Sequence, residues 1–184
     1  MPNDAKQTRR LRAEPADPAA LAEFGWLIAS DPTIAARPLN FYPGTLRMPA
    51  PFASDEQTEI TLVRLAPRPL EIVYMERHFR HTQVFLPLGG KPFVVALAPP
   101  SFDDTPPVDA VRAFRFAGDQ GLCLKIGCWH EFPFALENDS DMVVILRRET
   151  YKDLQRVVDD EAAGADLDKR NFRRRSGTAV TIDV

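Results

Sequence analysis

Apolar and polar positions alternate along the middle of the chain. Ile60, Leu62 and Arg64 face one way against Thr61, Val63 and Leu65, and Ile72, Tyr74, Glu76 and His78 share a face against Val73, Met75, Arg77 and Phe79. A period of two is that of a β-strand with distinct faces. Further segments of strand character run over 83–86, 93–98, 111–116, 122–126, 132–136 and 142–146. Pro87-Leu88-Gly89-Gly90, Pro99-Pro100 and Gly118-Asp119-Gln120-Gly121 supply turns between them. Short strands at this spacing, without interleaved helices, predict an all-β antiparallel sandwich or barrel.

The flanks have a different texture. Residues 1–13 are polar and basic and read as a flexible arm. Asp17-Pro18 is an N-cap and first-turn pair, and Leu21, Phe24, Leu27 and Ile28 follow, so a short N-terminal helix closed by Gly25 is expected. Prolines 43, 49 and 51, with Gly44, make residues 39–52 a loop. Tyr151, Leu154, Val157 and Val158 have helical spacing, which predicts a C-terminal amphipathic helix over 150–163 ended by Gly164. The cation-rich stretch 169–175 reads as a solvated basic tail, and 178–184 as an edge strand. One barrel domain over 14–148 with a C-terminal appendage over 149–184 follows.

Composition narrows the class. A chain of 184 residues, 45% hydrophobic and 27% charged, suits one domain with its own core. The net charge of -3 lacks the basic excess of a nucleic-acid binder. No apolar run reaches the ~18 residues of a membrane span, and the first residues lack the apolar core of a signal peptide. A cytoplasmic location is expected. Cys123 and Cys128 fit neither a redox nor a zinc motif and read as reduced, structural thiols.

Only three histidines occur. Glu76 and His78, two residues apart on one strand face, can point together into a barrel interior, and His130 sits in Gly127-Cys128-Trp129-His130-Glu131 after a turn. His78, His81, His130, Glu76 and Glu131 are the candidate metal donors, although in an extended strand His78 and His81 face opposite ways unless a bulge intervenes. Arg64, Arg77 and Lys125 lie within apolar strands, so each is either paired with a carboxylate or suited to an anionic ligand. Trp129 and Phe132 could wall a pocket or pack the core. No phosphate-binding loop or nucleophile elbow is present.

Several strings together resemble the ureidoglycolate lyase family: Glu76-Arg77-His78, Thr82-Gln83-Val84-Phe85-Leu86-Pro87, Pro92-Phe93-Val94-Val95, Val111-Arg112-Ala113-Phe114, Gly118-Asp119-Gln120-Gly121 and Trp129-His130. Glu14-Pro15 through Phe24-Gly25 is similar to the family's N-terminal strand and helix. The resemblance implies a cupin-like β-barrel, usually a homodimer, that cleaves ureidoglycolate to glyoxylate and urea in purine catabolism. Gly127-x-x-His130 is similar to the second cupin motif, whose histidine faces the lumen. The resemblance nominates His78 and His130 as acid/base or metal-binding groups, Gln83 as a polar orienter and Arg64 as carboxylate clamp. It implies nickel as the divalent metal, and otherwise no cofactor. Lys125, His81 and Glu131 stand where the family typically has histidine, glycine and histidine. Leu146 stands roughly where it has an aspartate, and the tail after residue 150 differs.

The expected function is therefore lyase-type breakdown of a small ureido or hydroxy acid, with a small carboxylate as the partner and neither nucleic acid nor membrane involved. Lys125 or Arg64 would bind the carboxylate, His130 and Glu131 would exchange protons, and His78 would complete the site beside Glu76, Gln83 and Trp129. The alternatives are a diverged barrel of other activity, a non-catalytic acid- or sugar-binding barrel, and an assembly protein using residues 150–175.

Overall fold

The computed structural model describes residues 7–184. The fold is all-β with two short helices. The first half carries β1 (Gln7–Arg12), β2 (Glu14–Pro15), β3 (Gly25–Ile28), β4 (Arg37–Pro38), β5 (Leu46–Arg47), β6 (Thr58–Leu65), β7 (Glu71–Ile72), β8 (Met75–His78), β9 (Val84–Leu88) and β10 (Gly90–Ala98). The second half adds β11 (Arg112–Gly118), β12 (Gly121–Leu124), β13 (Trp129–His130), β14 (Phe134–Ala135), β15 (Ser140–Arg147), α1 (Arg148–Leu154), β16 (Val157–Val158), β17 (Glu161–Ala163), β18 (Leu167–Arg170), α2 (Phe172–Ser176) and β19 (Thr178–Asp183).

Two large sheets supply the body. One runs β16-β17-β18-β8-β13-β10-β11-β2, with β14 also on β10, and the other runs β3-β12-β9-β15-β6. Alternation along the strands gives each sheet an apolar inner face. Phe93, Val95 and Leu97 of β10 meet Phe85 of β9, Leu122 and Leu124 of β12, and Met142 and Val144 of β15 in one core. The opposite face of the first sheet is also apolar. Val94, Ala96, Trp129 and Phe134 pack there against Ile72 of β7, Phe172 of α2, and Val180 and Ile182 of β19. Covering that face are β1, β19 and β7, in which β1 and β19 run parallel with Gln7 opposite Thr178 and Arg12 opposite Asp183.

The flanks depart from the sequence expectations. Residues 1–6 of the expected arm lie outside the described residues, while the rest of it is mostly β1, its backbone paired along β19. Asp17 does cap, accepting from the Ala19 and Ala20 amides, but the chain makes successive turns and no helix. Gly25 instead opens β3, where a Cβ would stand 2.2 Å from the Cys123 carbonyl oxygen. Strand pairing with β12 thus requires glycine there. The helix expected over 150–163 is only α1. Asp159 and Asp160 then adopt positive φ and turn the chain into a β16-β17 hairpin, an outcome of tertiary pairing overriding helical periodicity.

The stretch 169–175 is not a solvated tail. Arg170 is held by Asp104 and Asp168, Arg173 by Glu71, Arg174 by Glu161, and Arg175 by Asp104 and Glu161. Cys123 and Cys128 are free and buried. Among the described residues no helix is long and apolar enough to cross a membrane.

Phe172, fully buried beneath α2, fixes this C-terminal segment to the sheet. Phe172→Ala is expected to lower stability by about 3–5 kcal/mol in urea denaturation. Acid should act on the same segment. The Arg175 guanidinium, hydrogen-bonded to Glu161, overcomes the upward push of burial and holds that carboxyl down at about 2, against an ordinary 4.5. A depressed folded-state value contributes stability that is fully present above about 4.5 and lost as pH falls toward 2. Near-UV circular dichroism of Glu161→Gln should show a weaker dependence on pH across that window than wild type.

Candidate active site

Three adjacent strands of the first sheet build the site. Glu76 of β8 lies directly opposite His130 of β13 on one side and Lys169 of β18 on the other. Directly opposed residues of an antiparallel pair share a sheet face, so Lys169, Glu76 and His130 form a row. His78, two residues along β8, shares the face of Glu76. The rings of His78 and His130 are 5.2 Å apart, and Phe85 of the second sheet packs 5.8 Å from His130. The row therefore faces the space between the two large sheets.

Glu76 is buried and bridges two groups. Lys169 Nζ donates to its Oε2 at 2.8 Å, and His130 Nε2 lies 3.3 Å from its Oε1. Burial pushes the Glu76 carboxyl up, but Lys169 and His130 outweigh it and hold the group ionised, well below the usual carboxylate range. Burial pulls the Lys169 ammonium down, and Glu76 more than restores it. For His78 burial dominates and drives the ring strongly toward the neutral form. Neither ring nitrogen of His78 has a hydrogen-bond partner. Gln83 is buried too, with Oε1 unpartnered.

His81 joins by a route that strand periodicity does not describe. β8 ends at His78, and the chain bends through Phe79 and Arg80 before His81 forms an isolated bridge with Ser54. The His81 ring thereby comes within 4.6 Å of that of His78, and its Nδ1 within 2.9 Å of Asp166 Oδ2. Two groups of donor atoms result, Glu76, His78 and His130 in one and His78, His81 and Asp166 in the other, each with its atoms within 4.8 Å of one another.

A divalent metal fits the first group. His130 Nδ1 is 3.4 Å from the Cys128 carbonyl, and Nε2 lies near Glu76 without hydrogen-bond alignment. Donors sharing one ion through bonds of about 2.1 Å lie about 3–3.4 Å apart. The 3.3 Å separation, the neutral His78 and the carboxylate suit a borderline divalent cation.

Other sequence candidates lie elsewhere. Arg64 is on the edge strand β6, two-thirds exposed and held in a bidentate pair by Asp141. Lys125 donates to the Ala22 carbonyl and lies 5.5 Å from the Trp26 ring centre. Trp129 follows the opposite face of β13 from His130, packing with Val94 and Ala96 under the Arg77 guanidinium. Arg77 itself is paired with Asp168. Glu131 accepts from the Val73, Tyr74 and Phe132 amides and meets Arg68 at 3.4 Å, so its carboxylate terminates backbone groups and does not face His130 as a proton partner. Burial raises its proton affinity against the pull of Arg68.

Lys169 and Asp166 were not among the sequence candidates. Lys169 lies in the basic stretch 169–175, and Asp166 in the gap between the expected helix and that stretch, to which no element is assigned. The usable signal for Lys169 was alternation across 167–170, where apolar Leu167 and Lys169 share a face.

An all-β scaffold with an interior carboxylate-imidazole cluster beside a paired lysine is the class this geometry defines. The sequence profile described as ureidoglycolate lyase matches residues 8–166, and the chain belongs to that family. A ureidoglycolate lyase of Azotobacter vinelandii is 34% identical over 144 residues, covering 76% of this chain and 86% of that protein. One from Pseudomonas savastanoi pv. phaseolicola is 32% identical over 146 residues, covering 76% and 84%. A solved RmlC structure from Streptococcus suis aligns with a TM-score of 0.32 at 13% identity, over 66% of this chain and 75% of that one. Lys169 lies just beyond the matched residues.

Proposed function

We propose that the protein cleaves ureidoglycolate, or a close ureido hydroxy acid, to glyoxylate and urea. The observation that carries this reading is the convergence of Glu76, His78 and His130 beside Lys169 in a member of the ureidoglycolate lyase family.

The substrate is a carbinolamide bearing a carboxylate. Its cleavage removes the hydroxyl proton, breaks the C–N bond and returns a proton to the urea nitrogen, so no water or oxidant is consumed. Lys169 is the cation available for the carboxylate, being anchored through Glu76 and still 27% exposed at its side chain. Gln83 Oε1 is a free acceptor for a urea N–H. The hydroxyl proton passes to an unpartnered imidazole nitrogen of the His78–His130 pair, and the pair returns one to the departing nitrogen. Glu76 keeps its charge throughout and orients both Lys169 and His130. Alternatively, Glu76, His78 and His130 would hold a divalent cation; their imidazole lone pairs would then not be available for the proton, and the cation would supply Lewis-acid polarisation of a substrate oxygen.

Glyoxylate release from purified protein tests the reading. His78→Ala and His130→Ala should each lower kcat/KM by about 10²–10⁴, and a wild-type rate equal to that of heat-inactivated protein would end it. Lys169→Met should raise KM by about 10–100-fold, the loss of one charge-assisted hydrogen bond, with Lys169→Arg recovering part of it. An unchanged KM in Lys169→Met would move the carboxylate to another group.

A further inference from the structure

Glu76 and Asp166 are both interior carboxylates, but their charges are met differently. Lys169 sits 2.8 Å from Glu76 and balances it. Asp166 is completely buried, and among the described residues its one ion-pair contact is His81. Arg147, paired with Asp55 and Glu56 and with its Nη1 unpartnered, attracts Asp166 only from beyond ion-pair contact. The backbone amide of Asp166 donates to the Asp153 carboxylate, and the remaining contacts of its own carboxylate are neutral. Its Oδ1 accepts from the Arg80 amide, and its Oδ2 accepts from the Thr150 hydroxyl. An anion in such surroundings calls for a nearby positive charge.

Protonated His81 would meet that need by donating Nδ1–H to Asp166. The geometry is otherwise. The two atoms approach to 2.9 Å, yet neither nitrogen of His81 is aligned for a hydrogen bond to any group. Two acceptors this close, with no proton directed between them, are arranged as neighbouring ligands of one ion, for which about 3 Å is the ordinary spacing. His78 completes the group, its donor atom within 4.8 Å of the other two and both of its nitrogens unpartnered. Arg80 and Thr150 fix the carboxylate in the manner of the outer hydrogen bonds that orient metal ligands.

We propose that His78, His81 and Asp166 form a divalent-cation position of their own, separate from the one bounded by Glu76 and His130. Two imidazoles and one carboxylate suit zinc or another borderline divalent ion and leave a coordination position for a small oxygen ligand. His78 is common to both positions. A neutral imidazole carries one lone pair, so it serves one ion at a time, and the two positions are alternative seats for a cation held at His78.

Bound metal tests the assignment, whether or not the lyase reading survives. The full chain would be stripped with chelator and titrated with Zn²⁺ by calorimetry, and with Co²⁺ followed by its d–d absorption. Wild type, His130→Gln, His81→Gln and the double variant would be compared, circular dichroism confirming that each is folded. His130→Gln should still bind one ion, and adding His81→Gln should weaken that binding at least about tenfold. His81→Gln alone should change the Co²⁺ spectrum if it retains an ion at the other seat, and a loss of all binding in it would support the proposal while removing the Glu76 seat. Unchanged affinity and spectrum in His81→Gln overturn the proposal. So does equal binding by the double variant and His130→Gln, or the absence of bound metal in wild type. His81→Phe keeps the volume if glutamine fails to fold. Normal glyoxylate release with no metal bound would leave the lyase reading standing while this assignment fell.

Discussion

The interior depends on one carboxylate held between two strands. Glu76 is the central member of a cross-strand row in which Lys169 and His130 are its immediate neighbours. A buried carboxylate without a partner is severely unfavourable, and a buried pair is tolerated only when its remaining hydrogen-bonding capacity is met. The ammonium donates to one oxygen, and the imidazole lies 3.3 Å from the other without hydrogen-bond alignment, so that oxygen's capacity stays open inside the site. The row ties together segments far apart in sequence and aims their polar ends into the space between two apolar sheets. The chemistry proposed for the protein is a by-product of how that charge is accommodated.

The reverse face of the same strands repeats the device. Arg77, between Glu76 and His78, points the other way and meets Asp168, the neighbour of Lys169, at 2.7 Å, its guanidinium lying over the Trp129 ring. Strands β8 and β18 are therefore cross-linked by opposite charges on both faces. A one-residue shift of β18 would put Asp168 beside Glu76 in one direction or Lys169 beside Arg77 in the other, a like-charge encounter either way. Register is set electrostatically as well as by burial, and this locates the proposed carboxylate-binding group with little tolerance.

Much of this was legible from alternation. The period of two across 72–79 placed Glu76 and His78 on one face, whereas the pairing of His130 opposite Glu76 is non-local and carries no sequence signal. The all-β class followed from the same pattern. What was missed came from non-local pairing. Residues 150–163 carry helical spacing, but positive φ at Asp159 and Asp160 and pairing to β18 convert half of them into a hairpin. The cations of 169–175 are compositionally indistinguishable from a solvated run, because only the fold shows Asp104, Glu71 and Glu161 waiting for them. Arg64 misled in the opposite direction. An apolar strand suggested an interior cation, whereas β6 is an edge whose Ile60 and Leu62 are themselves exposed.

The parallel pairing of β1 with β19 joins residues 7–12 to residues 178–183. During synthesis that seam cannot close until nearly the whole of this span has left the ribosome, and β18, which carries Lys169, emerges only shortly before it. The nascent polypeptide thus presents Glu76 without its counter-charge from the synthesis of β8 until that of β18. Long sequence separation of contacts slows folding. The centre acquires its electrostatic balance among the last events of maturation, so an incomplete product would hold an unbalanced acid where the finished protein holds a site.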